Sequence, residues 1–205
     1  MIRVLPIKPE ETHNWLLQKH YAKRLPSISY AFGLFIDDEL VGVVTYGMPA
    51  SPSLCMGVCG VENKHIVYEL NRLCVDCDLK NASSILVGRS LQLLPKPMVV
   101  VSYADTAQGH LGYIYQATNW LYTGITKERT DMAGDDGKHS RHNHGDRSKR
   151  MFRSAKHRYV FFVGSTGQRK FLQHSLKYQI QEYPKGESSR YDAGGKVITQ
   201  KLLFF

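Results

Sequence analysis

Met98-Val99-Val100-Val101-Ser102-Tyr103-Ala104-Asp105 is the stretch on which the fold class turns. From Met98 to Tyr103 it is a continuous strand of the kind buried on both faces, and it ends at a carboxylate. Upstream, Asn81 can cap a helix running to about Leu94, with Val87, Leu91 and Leu94 on one face and Pro95 and Pro97 closing it. Downstream, Gly109 to Asn119 fits another helix and Leu121 to Thr126 a further strand. Further out, Arg3 to Ile7 reads as a strand ending at Pro9, followed by a helical pattern that carries Trp15, Leu16 and Tyr21 to about Arg24. Ser29 to Ile36 and Leu40 to Tyr46 flank Asp37, Asp38 and Glu39 as a hairpin, and Ile66 to Val75 is another strand. Met48 to Asn63, with Pro49, Pro52, Gly57 and Gly60, reads as an irregular loop. Tyr159 to Val163 is a late aromatic strand, and the tail from Gly164 is polar until Leu202 to Phe205. This order gives an α/β fold class, a single domain built on one mixed sheet. A basic insertion occupies about 127–158, and a C-terminal extension starts at about 164.

The 205 residues suffice to bury about two thirds of the unfolded surface, and 42% apolar content excludes wholesale disorder. No apolar run approaches the roughly 20 residues that cross a bilayer, so no membrane partner is expected. Met1 to Glu10 lacks the apolar region of a secretory signal, and four cysteines do not make a disulfide scaffold, which together place the chain in a reducing cytoplasm. Lys and Arg total 27 against 18 acids. Most of the formal +9 lies between Gly137 and Arg158, where Lys138, Arg141, Arg147, Lys149, Arg150, Arg153, Lys156 and Arg158 face one acid, Asp146. Such a strip either binds a polyanion such as double-stranded DNA or is a charged, solvated loop.

Two strands end in polar clusters, where open α/β sheets bind ligands. The first runs through Tyr68, Glu69, Asn71 and Arg72 to Asn81, Ser83 and Ser84, whose helix N-terminus suits a phosphate. The second runs from Ser102, Tyr103 and Asp105 to His110, Tyr115 and Gln116. Asp105 can be a general base, a metal ligand or a helix cap. His20 and Tyr21 stand at a helix exit, where a histidine can also serve as a cap cation. Tyr30, Tyr103 and Tyr115 offer faces for an extracted base, or pack in the core. Cys55 and Cys59, then Cys74 and Cys77, approach structural zinc spacing, but a thiol inside a strand also serves as a small hydrophobe. His139, His142 and His144 can bind metal, phosphate or solvent.

Taken together, Tyr68 to Leu73, Asn81 to Ser84, Val101 to His110, Gly112 to Trp120 and the His20-Tyr21 pair resemble the phage Mom family of DNA adenine-modification proteins. The resemblance implies a GNAT-like acyltransferase fold with a splayed mixed sheet. It also implies a transferase that converts adenine N6 to a carbamoylmethyl (acetamido) derivative and shields phage DNA from host restriction. On matching positions it puts His20, Tyr21, Ser102, Tyr103 and Asp105 in the catalytic centre and Glu69, Asn71, Arg72 and Asn81 to Ser84 on the donor side. Iron held by His20, Tyr21 and Asp105 is a family-level suggestion. The acetyltransferases carry a Q/R-x-x-G-x-G/A loop where Asp76 to Ser84 has no glycine and two acids. The donor is therefore either acetyl-CoA or an aminoacyl-tRNA-like carrier, and a homodimer is admissible. Two other functions remain open on the residues: an N-acyltransferase for a small amine or protein lysine, and a nonenzymatic zinc-containing nucleic-acid module.

Overall fold

The computed structural model describes residues 1–132, 149–186 and 202–204. Its strands are β1 (Ile2–Pro6), β2 (Tyr30–Ile36), β3 (Glu39–Gly47), β4 (Val67–Val75), β5 (Met98–Asp105), β6 (Leu121–Ile125), β7 (Arg129–Met132), β8 (Lys149–Arg153), β9 (Lys156–Val163) and β10 (Leu202–Phe204). The α-helices are α1 (Pro9–Asn14), α2 (Pro52–Cys59), α3 (Ala82–Leu93), α4 (Tyr113–Ala117) and α5 (Thr166–Ser175). Seven strands form one sheet in the order β1-β2-β3-β4-β5-β9-β6, and β7, β8 and β10 form a second, smaller one. The fold is mixed α/β, with β4 and β5 the parallel neighbours and the other neighbouring strands antiparallel.

As the apolar run dictates, every residue of β5 except Tyr103 is buried. Successive side chains alternate between two cores, as the period of a strand requires. Val100 and Ala104 join Leu86, Val87 and Leu91 of α3 and Trp120. Val99 and Val101 join Val58 of α2, Val67 and Leu172 of α5.

The parallel pairing is short. It holds for Val67 with Val99, Tyr68 with Val100 and Glu69 with Val101, and then stops although both strands continue. Beyond Glu69, β4 stays paired with β3 as far as Val75, while β5 stays with β9 as far as the Asp105–Lys156 pair. The strands part there, and backbone groups facing the gap lose their ladder partners. The Ser102 hydroxyl bridges the apex by donating to the Leu70 carbonyl at 2.9 Å, which restores one of them.

Several expectations need correction. The supposed loop 48–63 contains α2: Pro52 occupies its first turn, and Gly60, at φ 87, closes it in the left-handed region that glycine accepts. The same helix buries Cys55 and Cys59 beside Val58 and Leu172, while Cys74 packs with Trp15 and Leu16 in a separate cluster. The four thiols therefore do not converge, and among the described residues no group of three His, Cys, Asp or Glu side chains could hold a metal. This removes the zinc module. The first helix does not reach Arg24: α1 passes into a π-helical turn, Trp15–Lys19, and the chain is extended at His20. The tail after Gly164 forms α5, capped reciprocally by Ser165 and Gln168. Lys156 and Arg158 belong to β9 in the central sheet rather than to a loop. No helix among the described residues is long and apolar enough to cross a membrane.

Candidate functional site

A cavity of about 490 Å³ opens where β4 and β5 part. Leu70 and Arg72 of β4, Tyr103 and Ala104 of β5, Asn81 to Ser84 at the start of α3, and His20 and Tyr21 all line it. Most of the expected residues thus meet in one place.

His20 reaches it because the π-helical turn ends there. The His20 N–H still bonds to the Trp15 carbonyl five residues back, at 2.9 Å, and the next residues then leave the helix. Its ring is 4% exposed, and its Nδ1 accepts the Ala22 N–H at 3.0 Å. That bond leaves the proton of a neutral imidazole on Nε2. Burial, with the charges of Arg72, His110 and Arg24, pushes its pKa down to about 3. His20 is therefore neutral at physiological pH, which removes the reading of it as a cap cation. Tyr21 stacks on His20 with centroids 4.4 Å apart and meets His110 edge-on at 6.1 Å. The segment that follows is pinned against the sheet by Asn71, which donates to the Ser27 carbonyl at 2.8 Å and accepts from the Thr45 hydroxyl at 2.6 Å. Gly47 permits this: a Cβ there would lie 1.8 Å from the Ser27 oxygen.

Asp105 is fully engaged. Its Oδ1 accepts from the Ala107 N–H at 3.0 Å and the Ser154 hydroxyl at 2.5 Å, and its Oδ2 accepts from the Lys156 ammonium. Burial alone would raise its pKa, but the hydrogen bonds from Lys156 and Ser154 and the Lys156 charge outweigh it and hold the carboxyl below its ordinary value. It caps the short turn Thr106–Gln108, one of the alternatives open from sequence. An iron ion fits poorly on the expected ligands. Asp105 already holds a cation and two further donors, and the Nδ1 of His20 is occupied. We derive no step through such an ion.

Glu69 behaves in the opposite way. It stands on the last parallel rung, and burial raises its pKa against the opposing pull of Arg72, Lys156 and Arg24. Its charge acts on Tyr103 and on Cys55 of α2, and it does not line the cavity. Glu69 is thus set toward the α2 side rather than among the cavity's lining groups. Asn81 adopts the left-handed conformation, at φ 63, and its side chain does not cap α3. Ser84 instead donates to the Asn81 carbonyl at 2.9 Å, and Asp76 is drawn to Lys19 at 2.5 Å. The first turn of α3 is left without a side-chain cap on the cavity wall.

Ser102 lies 2.8 Å from the Tyr115 hydroxyl, and the Tyr115 ring packs on Trp120 and Tyr159 with centroids 5.1 Å away in each case. Tyr115 is core and does not present a free face to a base. Tyr103 is half-buried at the cavity wall.

Of the basic strip, Lys138, Arg141 and Arg147, with His139, His142 and His144, lie outside the described residues. Lys149 and Arg150 begin β8, where Arg150 reaches Thr130 at 3.4 Å, and Arg153 ends that strand and acts on Arg24. Arg158 is fixed by Thr123 at 2.9 Å and by the ring of Tyr178, 3.4 Å from the guanidinium. Reading the sequence did not find Arg24, nor the pairing of Lys156 with Asp105. The first carried no motif, and the second arises from strand register across 51 residues.

The Mom protein family matches this chain over residues 1–185. The chain is 28% identical over 189 residues to the methylcarbamoylase Mom of Escherichia phage Mu, covering 82% of this chain and 77% of that protein. Among solved structures, an N-acetyltransferase from Staphylococcus aureus Mu50 matches with a TM-score of 0.48 and 13% identity, over 80% of this chain and 99% of the other. The ribosomal-protein-S18-alanine N-acetyltransferase from Escherichia coli matches with a TM-score of 0.49 and 10% identity, over 82% of this chain and 97% of the other.

Proposed function

The chain belongs to the Mom protein family, and on that premise we propose that it is a transferase that places a carbamoylmethyl (acetamido) group on N6 of adenine in DNA. The observation that carries the reading is the cavity at the parting of β4 and β5, walled by a neutral, buried His20 stacked on Tyr21. Its product would shield phage DNA from restriction.

Adenine N6 is a poor nucleophile because its lone pair is delocalised into the ring, and in a duplex it is stacked and paired. The base must therefore leave the helix, at a cost of a few kcal/mol offset by contacts to phosphates. Tyr21 and Tyr103 supply aromatic surface at the cavity wall. Glu69, whose raised pKa suits proton transfer near neutral pH, takes the N6 proton as the new N–C bond forms and the donor's leaving group departs with its electron pair. His20 donates from Nε2 to the electrophile, and Asp105 keeps Lys156 and the end of β5 in place. Asn81, Ser83 and Ser84 hold the anionic part of the donor at the open first turn of α3. Whether acetyl-CoA or a nucleic-acid carrier, the donor supplies the electrophilic carbon.

Mass spectrometry of nucleosides from DNA of cells expressing the chain tests the reading. A carbamoylmethyl-deoxyadenosine is expected; unmodified nucleosides, with acetyl-CoA consumed by a small amine instead, would overturn it.

A further inference from the structure

Arg72 extends from β4 just beyond the last parallel rung and lines the cavity. One of its nitrogens donates to the carbonyl of Asn71 at 2.6 Å, while its Nε is buried without a hydrogen-bond partner. Arg24, in the segment after His20, is half-buried as well. Neither guanidinium makes an ion pair among the described residues; Glu69 acts on both and pairs with neither. Burial lowers the pKa of each first; Arg24 then weighs on Arg72, and Arg153 on Arg24. Two partly desolvated like charges with an orphaned N–H form a site that an oxyanion would relieve, and guanidinium forks suit that geometry.

The order of the charges narrows the anion. Arg153 stands on β8 in the smaller sheet, Arg24 is electrostatically coupled to it, and Arg72 lies in the cavity. A row of cations running from a basic flap into a pocket matches successive phosphates of a strand better than one small anion. Resting on the reading of the chain as DNA-modifying, we propose that Arg24 and Arg72 grip the phosphate of the nucleotide whose base enters the cavity. They would thus position the extruded adenine rather than the donor, the side on which the resemblance puts Arg72.

The test is calorimetric titration of the full chain with 2′-deoxyadenosine 5′-monophosphate and with 2′-deoxyadenosine. The nucleotide is expected to bind about tenfold tighter than the nucleoside, in keeping with charge-assisted contacts to one phosphate. Arg72→Gln and Arg24→Gln should each erase most of that preference while leaving nucleoside affinity in place, and Arg72→Lys should restore part of it. Arg24 lies outside the sheet, so its variant serves if the Arg72 variants melt early. No preference in the wild type, or a preference that survives both substitutions, overturns the proposal. So does a loss in the variants confined to coenzyme A, which would give the oxyanion to the donor. Modified adenine in cellular DNA without this arginine dependence defeats only the phosphate grip. Arginine-dependent nucleotide binding with unmodified DNA defeats only the transferase reading.

Discussion

The two banks of the parting strands treat their charged groups differently. On the β5–β9 bank, Asp105 is satisfied by Ala107, Ser154 and Lys156 and is held ionised. On the β3–β4 bank, Glu69 is pushed toward protonation, and Arg72 keeps a buried N–H without an acceptor. A carboxylate whose hydrogen bonds are already made is a girder; one that burial has loosened from its proton equilibrium can do chemistry. The contrast assigns support to the first bank and proton transfer to the second, and it can be broken in several places.

The largest effect is expected from Glu69→Gln, which should lower modification by about 100-fold or more while leaving DNA binding unchanged, as nucleoside mass spectrometry and a binding titration would show. Because the working form is the carboxylate, wild-type activity should climb as pH rises through a pKa above the ordinary value of 4.5. A profile already flat from pH 5 would return the role of base to Asp105.

Next comes Asp105→Asn. It strands the Lys156 ammonium at a partly exposed site and should cost about 1–3 kcal/mol of stability, read by denaturant unfolding. The sign with pH follows from the depressed pKa. The Asp105 contribution is complete above the unfolded carboxylate value and disappears as pH falls through the folded one. The variant should therefore gain on the wild type in acid and lose to it at neutral pH.

Gly47→Ala sharpens the comparison on the other bank, since the added carbon meets the Ser27 carbonyl and forces the His20 segment off the sheet. A loss of about 1–3 kcal/mol is expected, with weaker nucleotide binding. The smallest effect belongs to Arg150→Gln with Arg153→Gln, which should flatten the salt slope of DNA binding by about 2 and leave its sequence preference alone.

Local signals made much of this visible in the sequence. The buried run of β5, the helix closed by Pro95 and Pro97 and the hairpin around Asp37 and Asp38 stand where periodicity and turn chemistry put them. Helix α2 was hidden because its proline and glycines read as punctuation, though Pro52 starts the helix and Gly60 ends it. In α5 only Leu172 is buried, so no apolar stripe announced it, and the Ser165–Gln168 cap was the remaining signal. The site itself was half legible. Residues near in sequence, such as His20 with Tyr21, could be grouped, whereas Lys156 with Asp105 and Arg24 with Arg72 depend on register and on the path of a pinned segment. Spacing also cannot report whether a carboxylate is satisfied, and that property separates Glu69 from Asp105.

The π-helical turn at Trp15–Lys19 carries a lesson about which lengths this chain tolerates. Shortening it by a single codon would return the backbone to ordinary α-helical winding and swing every downstream side chain by about 100° about the axis. His20 and Tyr21 would then leave the cavity together, with no amino acid in the centre exchanged. Indels in this helix should therefore be as damaging to the reaction as replacing the histidine, while substitutions along its outer face pass unnoticed.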